Sequence, residues 1–210
     1  MLSNLLRRNL AFFLPYALLL VVVSILQLQH TQESLMQWVN AKNSPSADIF
    51  FTYATYLGDG AFFVIACVIT LIYNRRVGAM AFASFALSSL TSLFLKLVVF
   101  PGRLRPLKFF EHSIYQYRLI EGLNIYSYNS FPSGHTTSAF ALFSLLAFID
   151  SRRGRGGLWL LLAALTGYSR VYLFQHFVED VYVGSLIGTT TSILIYSILR
   201  RWVDGQSVSQ

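Results

Sequence analysis

Six long apolar runs, separated by short polar segments, constrain this chain more than any other feature. The first, Leu10 to about Leu28, is long enough to cross a bilayer, which takes roughly 20 residues. It begins as a signal peptide would. No clean small-x-small cleavage site follows and more apolar runs come after, so it reads as an uncleaved span, with Pro15 placed to kink it. The second covers Ala61 to Tyr73 and starts a few residues earlier. The third runs from Gly78 to Phe100, the fourth from Thr136 to Ile149, and the fifth has Leu158 to Tyr168 as its core. The sixth runs from Val181 to Leu199. Charged residues make up only 12% and mean hydropathy is +0.54, against about a quarter charged in soluble domains. The expected fold is all-α: one integral membrane domain over residues 1–210, a bundle of six transmembrane helices.

A net charge of +7 raises the possibility of a nucleic-acid partner, but the arginines fall in small groups between apolar runs. Arg7 and Arg8, then Arg75 and Arg76, then Arg152, Arg153 and Arg155, then Arg200 and Arg201 occupy alternate ends of successive spans. Positive charge marks cytoplasmic loops, so both termini are expected inside. The segments 29–59, 101–135 and 169–180 then lie outside. The cations of the last two run against the charge bias, and a bound anion accounts for them.

Much of the remaining chain has a plain reading. Leu35, Trp38 and Val39 make one side of a short interfacial helix within 10–49, and Asn43-Ser44-Pro45-Ser46 is a turn. His30 has no metal-ligand spacing around it and reads as a surface histidine. Cys67, the single cysteine, reads as packing. The loop Asp150 to Gly157 lacks the pattern of a nucleotide cradle. The tail to Gln210 is polar and expected to be mobile.

The chemistry concentrates in Ser169-Arg170-Val171-Tyr172-Leu173-Phe174-Gln175-His176-Phe177-Val178-Glu179-Asp180. Ionisable groups between apolar runs are expensive unless they serve a purpose. Four-residue spacing on a helix puts His176 and Asp180 on one face. Asp180 can then hold one ring nitrogen and leave the other as nucleophile or base. Arg170 offers a planar fork for phosphate. A helix-end ion cluster that only sets topology is the plain alternative.

The expected topology gathers Lys96, Arg105, Ser133, Gly134, His135, Arg170, His176 and Asp180 on one outer face. Ser133 and Gly134 open the fourth span, where a helix N-terminus presents free N–H groups to an anion. Lys96 alone reads equally well as a snorkelling lysine, and Arg103 and Arg105 alone as lipid-headgroup contacts. Their joint placement points to phosphoryl transfer. With no acidic cluster for metals, metal-independent chemistry without a cofactor is expected.

These residues resemble the type 2 phosphatidic acid phosphatase superfamily, whose motifs are K-x6-R-P, P-S-G-H and S-R-x5-H-x3-D. Pro132-Ser133-Gly134-His135 meets the second; Ser169-Arg170, His176 and Asp180 meet the third. The first departs: eight residues separate Lys96 from Arg105-Pro106, while Arg103 at six is followed by Leu104. Arg105 is the better match, with two extra residues looping out at Pro101-Gly102. The resemblance covers roughly 50–200 and implies a six-span bacterial membrane phosphatase acting on a lipid phosphate in the bilayer. It implies that His176 attacks phosphorus to form a phosphohistidine and that Asp180 orients it. His135 would protonate the leaving oxygen and then activate water. Lys96, Arg105, Ser133, Gly134 and Arg170 would hold the phosphate. Candidate substrates are phosphatidic acid, phosphatidylglycerophosphate, undecaprenyl diphosphate and lipid A, with the site periplasmic and the 107–130 loop either shaping its mouth or closing it. A non-catalytic lipid-phosphate binding or transport protein is the rival; a haloperoxidase of the same constellation is disfavoured by the apolar spans. Oligomeric state is left open.

Overall fold

The structure is a computed structural model describing residues 2–150 and 152–204. Ser151 and residues 205–210, which fall in the expected fourth-to-fifth loop and polar tail, lie outside the described residues. All regular structure among the described residues is helical. The chain forms α1 (Leu2–Arg8), α2 (Leu10–Gln29), α3 (Gln32–Asn40), α4 (Pro45–Ala54), α5 (Gly60–Tyr73), α6 (Arg75–Phe94), α7 (Pro106–Phe109), α8 (Gly134–Ile149), α9 (Gly156–Tyr172) and α10 (Val178–Asp204).

Three segments are each long and apolar enough to cross a membrane: Leu10–Gln29, Arg75–Val99 and Val178–Trp202. A fourth crossing arises if Pro45–Gly58 and Gly60–Tyr73, bent by 53° at their junction, act as one broken span. α8 and α9 are shorter, at 16 and 17 residues. The apolar runs therefore become helices as expected. α2 passes through Pro15 without interruption, because the flanking turns keep its other backbone bonds.

Two local features differ from the sequence reading. The stretch after Ser44 is not only a lead-in: Ser44 caps the N-terminus of α4, accepting from Ala47 N, with Pro45 in the first turn, where its missing N–H has no helical partner to lose. A 3-10 turn over Thr55–Gly58 then joins α4 to α5. Second, Ser169 and Arg170 belong to the last turn of α9 rather than to an outside loop.

α8 is the centre of the bundle, buried on all sides from Thr136 to Leu145, with α6, α9 and α10 packed around it. A helix apolar all round belongs in such a position. Between helices in lipid there is little hydrophobic driving force, so close packing and hydrogen bonds hold the bundle. Gly184 and Gly188 permit that closeness. A Cβ on Gly188 would lie 2.4 Å from Thr137 O and 2.7 Å from Ala141 N, and one on Gly184 2.8 Å from Ser133 O. Hydroxyls then tie α10 to its neighbours. Ser192 Oγ donates to Ala141 O at 2.6 Å and lies 2.9 Å from Ser84 Oγ, while Tyr16 OH lies 3.2 Å from Ser185 Oγ. Such bonds contribute about 0.6 kcal/mol each within a membrane. Leu14 and Leu18 of α2 stay largely exposed, as side chains facing lipid would.

Candidate active site

The site forms where the ends of α6, α8, α9 and α10 meet. Its first wall is the turn between α9 and α10. His176 lies in this turn, not on a helix, so the expected helical i,i+4 face is corrected. The pairing with Asp180 survives by another route. Asp180 stands in the first turn of α10 and its Oδ2 accepts from Phe177 N at 2.9 Å, a reach back across the helix start like that of a capping box. The same Oδ2 lies 3.2 Å from His176 Nδ1 and also accepts from the hydroxyl of Ser130. His176 and Asp180 are almost wholly buried. With Nδ1 facing the carboxylate, Nε2 is the ring nitrogen left for chemistry. The turn itself is tightened by Arg170 O, which accepts from both Gln175 N (2.9 Å) and His176 N (3.1 Å).

The second wall is the start of α8. Ser133 is its N-cap, with Oγ accepting from Thr136 N at 3.4 Å and from Thr136 Oγ1 at 2.9 Å. Its own hydroxyl proton is left for an anion. The amides of Gly134 and His135 donate to no acceptor among the described residues, as the first N–H groups of a helix must. The space where a Gly134 Cβ would sit is open, so an anion can approach these amides. Ser133 N donates to Asp180 O at 3.0 Å, which joins this wall to the first.

Three cations surround the imidazole. Arg170 Nη1 donates to Thr55 Oγ1 at 2.7 Å, while its buried Nε finds no partner. Arg105 donates through Nε to Tyr128 O at 2.9 Å and through Nη1 to Gln175 O and Oε1 at 3.1 and 3.2 Å, which leaves Nη2 without a protein acceptor. Arg103 points elsewhere, to Glu179 at 2.5 Å and over the Phe131 ring. Of the two arginines left open by the spacing, Arg105 is the buried one. The extra length between Lys96 and Arg105 is absorbed in two places: a π turn over Leu95–Val99 and a turn at Gly102 with φ +72. Burial holds the His176 imidazole well below its ordinary pKa, and the charges of Arg105, Arg170 and Lys96 push it the same way. The ring is therefore neutral, the form in which an imidazole can act as a nucleophile or base.

The structure also brings in residues that sequence reasoning missed. Ser130 and Gln175 were unmarked because neither carries spacing of its own; their roles come from contacts across the fold. The third wall is the turn Thr55–Gly58 with Asp59. Gly58 presses on α8, where a Cβ would lie 2.5 Å from His135 O. This closeness brings Asp59 Oδ2 to 3.9 Å from His135 Nε2. Asp59 Oδ1 meanwhile caps α5 by accepting from Ala61 N at 2.8 Å. A cavity of about 220 Å³ opens beside Lys96, Gly134 and His135. No cluster of three metal-ligating side chains occurs among the described residues.

Comparison with known proteins bears directly on these walls. A lipid A 1-phosphatase of Rhizobium johnstonii is 28% identical over 130 residues, 62% of this chain and 51% of that protein. The chain thus spans about half the length of the curated relatives it matches first. The bacitracin transport permease protein BcrC of Bacillus licheniformis is 37% identical over 68 residues, 32% of each chain. Among solved structures, Aquifex aeolicus LpxE superposes with a TM-score of 0.64 at 29% identity, covering 78% of this chain and 93% of that one. A PAP2 type phosphatidylglycerolphosphate phosphatase from Bacillus subtilis shares the fold at TM-score 0.67 and 23% identity, covering 92% and 96%. The PAP2 superfamily model matches residues 77–204, a stretch that holds the π turn, the α8 start and the α9–α10 turn. The chain belongs to the PAP2 superfamily, the type 2 phosphatidic acid phosphatases.

Proposed function

We propose that this protein is a membrane phosphatase that removes phosphate from a lipid through a phosphohistidine, without a metal. The observation that carries this reading is a buried, neutral His176 held through Nδ1 by Asp180 and ringed by Lys96, Arg105 and Arg170. In the first step Nε2 of His176 attacks phosphorus. The bond from phosphorus to the lipid oxygen breaks, and His135 gives that oxygen a proton. In the second step His135 takes a proton from water, the water oxygen attacks phosphorus, and the phosphorus–nitrogen bond breaks to release phosphate. Lys96, Arg105, Arg170, the Ser133 hydroxyl and the Gly134 and His135 amides hold the phosphoryl oxygens and offset their charge in the transition state.

The reading places the protein in the plasma (inner) membrane with six spans, α4 and α5 acting as one. Both termini are cytoplasmic and the site opens outward. The alternation of arginine groups along the chain supports this. One experiment tests the chemistry. Purified protein in detergent with EDTA is offered phosphatidic acid, phosphatidylglycerophosphate, undecaprenyl diphosphate and lipid A, beside His176→Ala and His135→Ala. The parent is expected to release phosphate from at least one lipid, and both variants to lose nearly all release. Equal release by parent and variants would favour a non-catalytic lipid-phosphate binding protein.

A further inference from the structure

The cavity beside Lys96 and His135 is lined by Ser89, Ser92 and Ser138 together with Leu93, Gly58 and Gly60. Ser92 and Ser138 are 5% and 9% exposed. A buried helical serine usually turns its hydroxyl back onto a carbonyl three or four residues earlier, as Ser88 does with Phe85 O at 3.1 Å. Ser89, Ser92 and Ser138 do not: their hydroxyls have no protein partner among the described residues. Two nearly buried hydroxyls left open, next to a phosphate site, call for a ligand with oxygen atoms.

We propose that this cavity takes the oxygen-bearing link of a lipid phosphomonoester, a glycerol or a sugar lying between phosphate and tails. The inference rests on the phosphatase reading and narrows its substrate. Ester, hydroxyl or ring oxygens a few bonds from phosphorus can pair with Ser92 and Ser138. A polyprenyl chain offers hydrocarbon at the same place and leaves the hydroxyls unpaired, which a polar site rejects strongly. A diphosphate fits no better. Lys96 is the one cation among the described lining residues, and it already serves the phosphate.

The test compares the parent with the Ser92→Ala/Ser138→Ala double variant in mixed micelles. The lipids are phosphatidic acid, lipid A, a polyprenyl monophosphate and a polyprenyl diphosphate. The better of the first two identifies glycerol or sugar. The parent is expected to favour it over either polyprenyl lipid by roughly tenfold or more in kcat/KM. The double variant is expected to reduce that ratio by about tenfold, the effect of losing two modest hydrogen bonds. A parent that hydrolyses a polyprenyl lipid as well as the others, or a ratio unchanged in the variant, overturns this inference and leaves the phosphatase reading standing. Uniform loss on all four lipids marks a structural role for the serines and also overturns it. Release by the parent from none of the four, nor from phosphatidylglycerophosphate, overturns both.

Discussion

The carboxylate of Asp59 lies 3.9 Å from Nε2 of His135, although 76 residues separate them in sequence. At this distance the contact is electrostatic, not a hydrogen bond. The Asp59 charge favours the imidazolium, but burial and the charges of Arg170, Arg105 and Lys96 outweigh it and hold the His135 ring neutral, with its pKa lowered to about 3. A bound phosphate would add negative charge on the side of Asp59. Asp59→Asn keeps the α5 cap, because asparagine caps as well as aspartate, but removes the charge. It is expected to lower kcat by roughly tenfold, the effect of about one pKa unit at the proton donor, with thermal stability near the parent's. A variant with parental kcat would reduce Asp59 to a helix cap.

Ser130 shares Asp180 Oδ2 with His176. Ser130→Ala removes one of the donors that hold this carboxylate in place. The expected result is about a tenfold fall in the rate of phosphohistidine formation, followed by rapid quench with labelled substrate. Lipid affinity should change little, since Ser130 does not contact the phosphate in the proposed pose. Loss of affinity with an unchanged rate would contradict this.

The His176 imidazole should stay neutral well into acid. Its folded pKa lies below the ordinary value of 6.5, so the unfolded chain binds more protons below that pH. The stability this burial gives is present above about pH 6.5 and is lost as pH falls below it. In protein labelled with ¹⁵N-histidine, with signals assigned through His176→Gln, the His176 resonance is expected to show no protonation at pH 6. A protonated signal there would mean the cations around the ring act less strongly than their positions imply.

At the crossing of α8 and α10, Gly188→Ala would place a methyl 2.4 Å from Thr137 O. The contact is with backbone, which cannot rotate away. Overpacking of this kind destabilises by about 1–3 kcal/mol. Thermal unfolding in detergent should show a clear fall in midpoint. An unchanged midpoint would show that the two helices are free to separate.

The apolar helices were readable because lipid-facing and buried helices both demand continuous apolar sequence, and the residues from Leu10 to Gln29 supply it without break. The α4 helix was not readable. Its residues Pro45 to Ala54 mix polar and aromatic side chains, and Ser44 followed by Pro45 signals a turn and a helix start alike. His176 and Asp180 were paired correctly but for the wrong geometric reason, since four-residue spacing also suits a turn feeding a helix. In the sequence Arg105 is set apart from Arg103 by Pro106 alone; in the structure Arg105 is buried against Gln175 while Arg103 pairs with Glu179. Asp59, Ser130 and Thr55 carry no local signal, because what matters about each is a partner far along the chain.

Ser133 N donates to Asp180 O at 3.0 Å, just where Gly184 and Gly188 bring α10 against α8. A bilayer that thickens, thins or curves acts on whole helices by tilting them. Because this knot joins the two helices at the end that carries the imidazoles, they must tilt as a pair about it. A tilt of either helix is thereby felt at both imidazoles, since His135 follows Ser133 in the chain and His176 is held by Asp180.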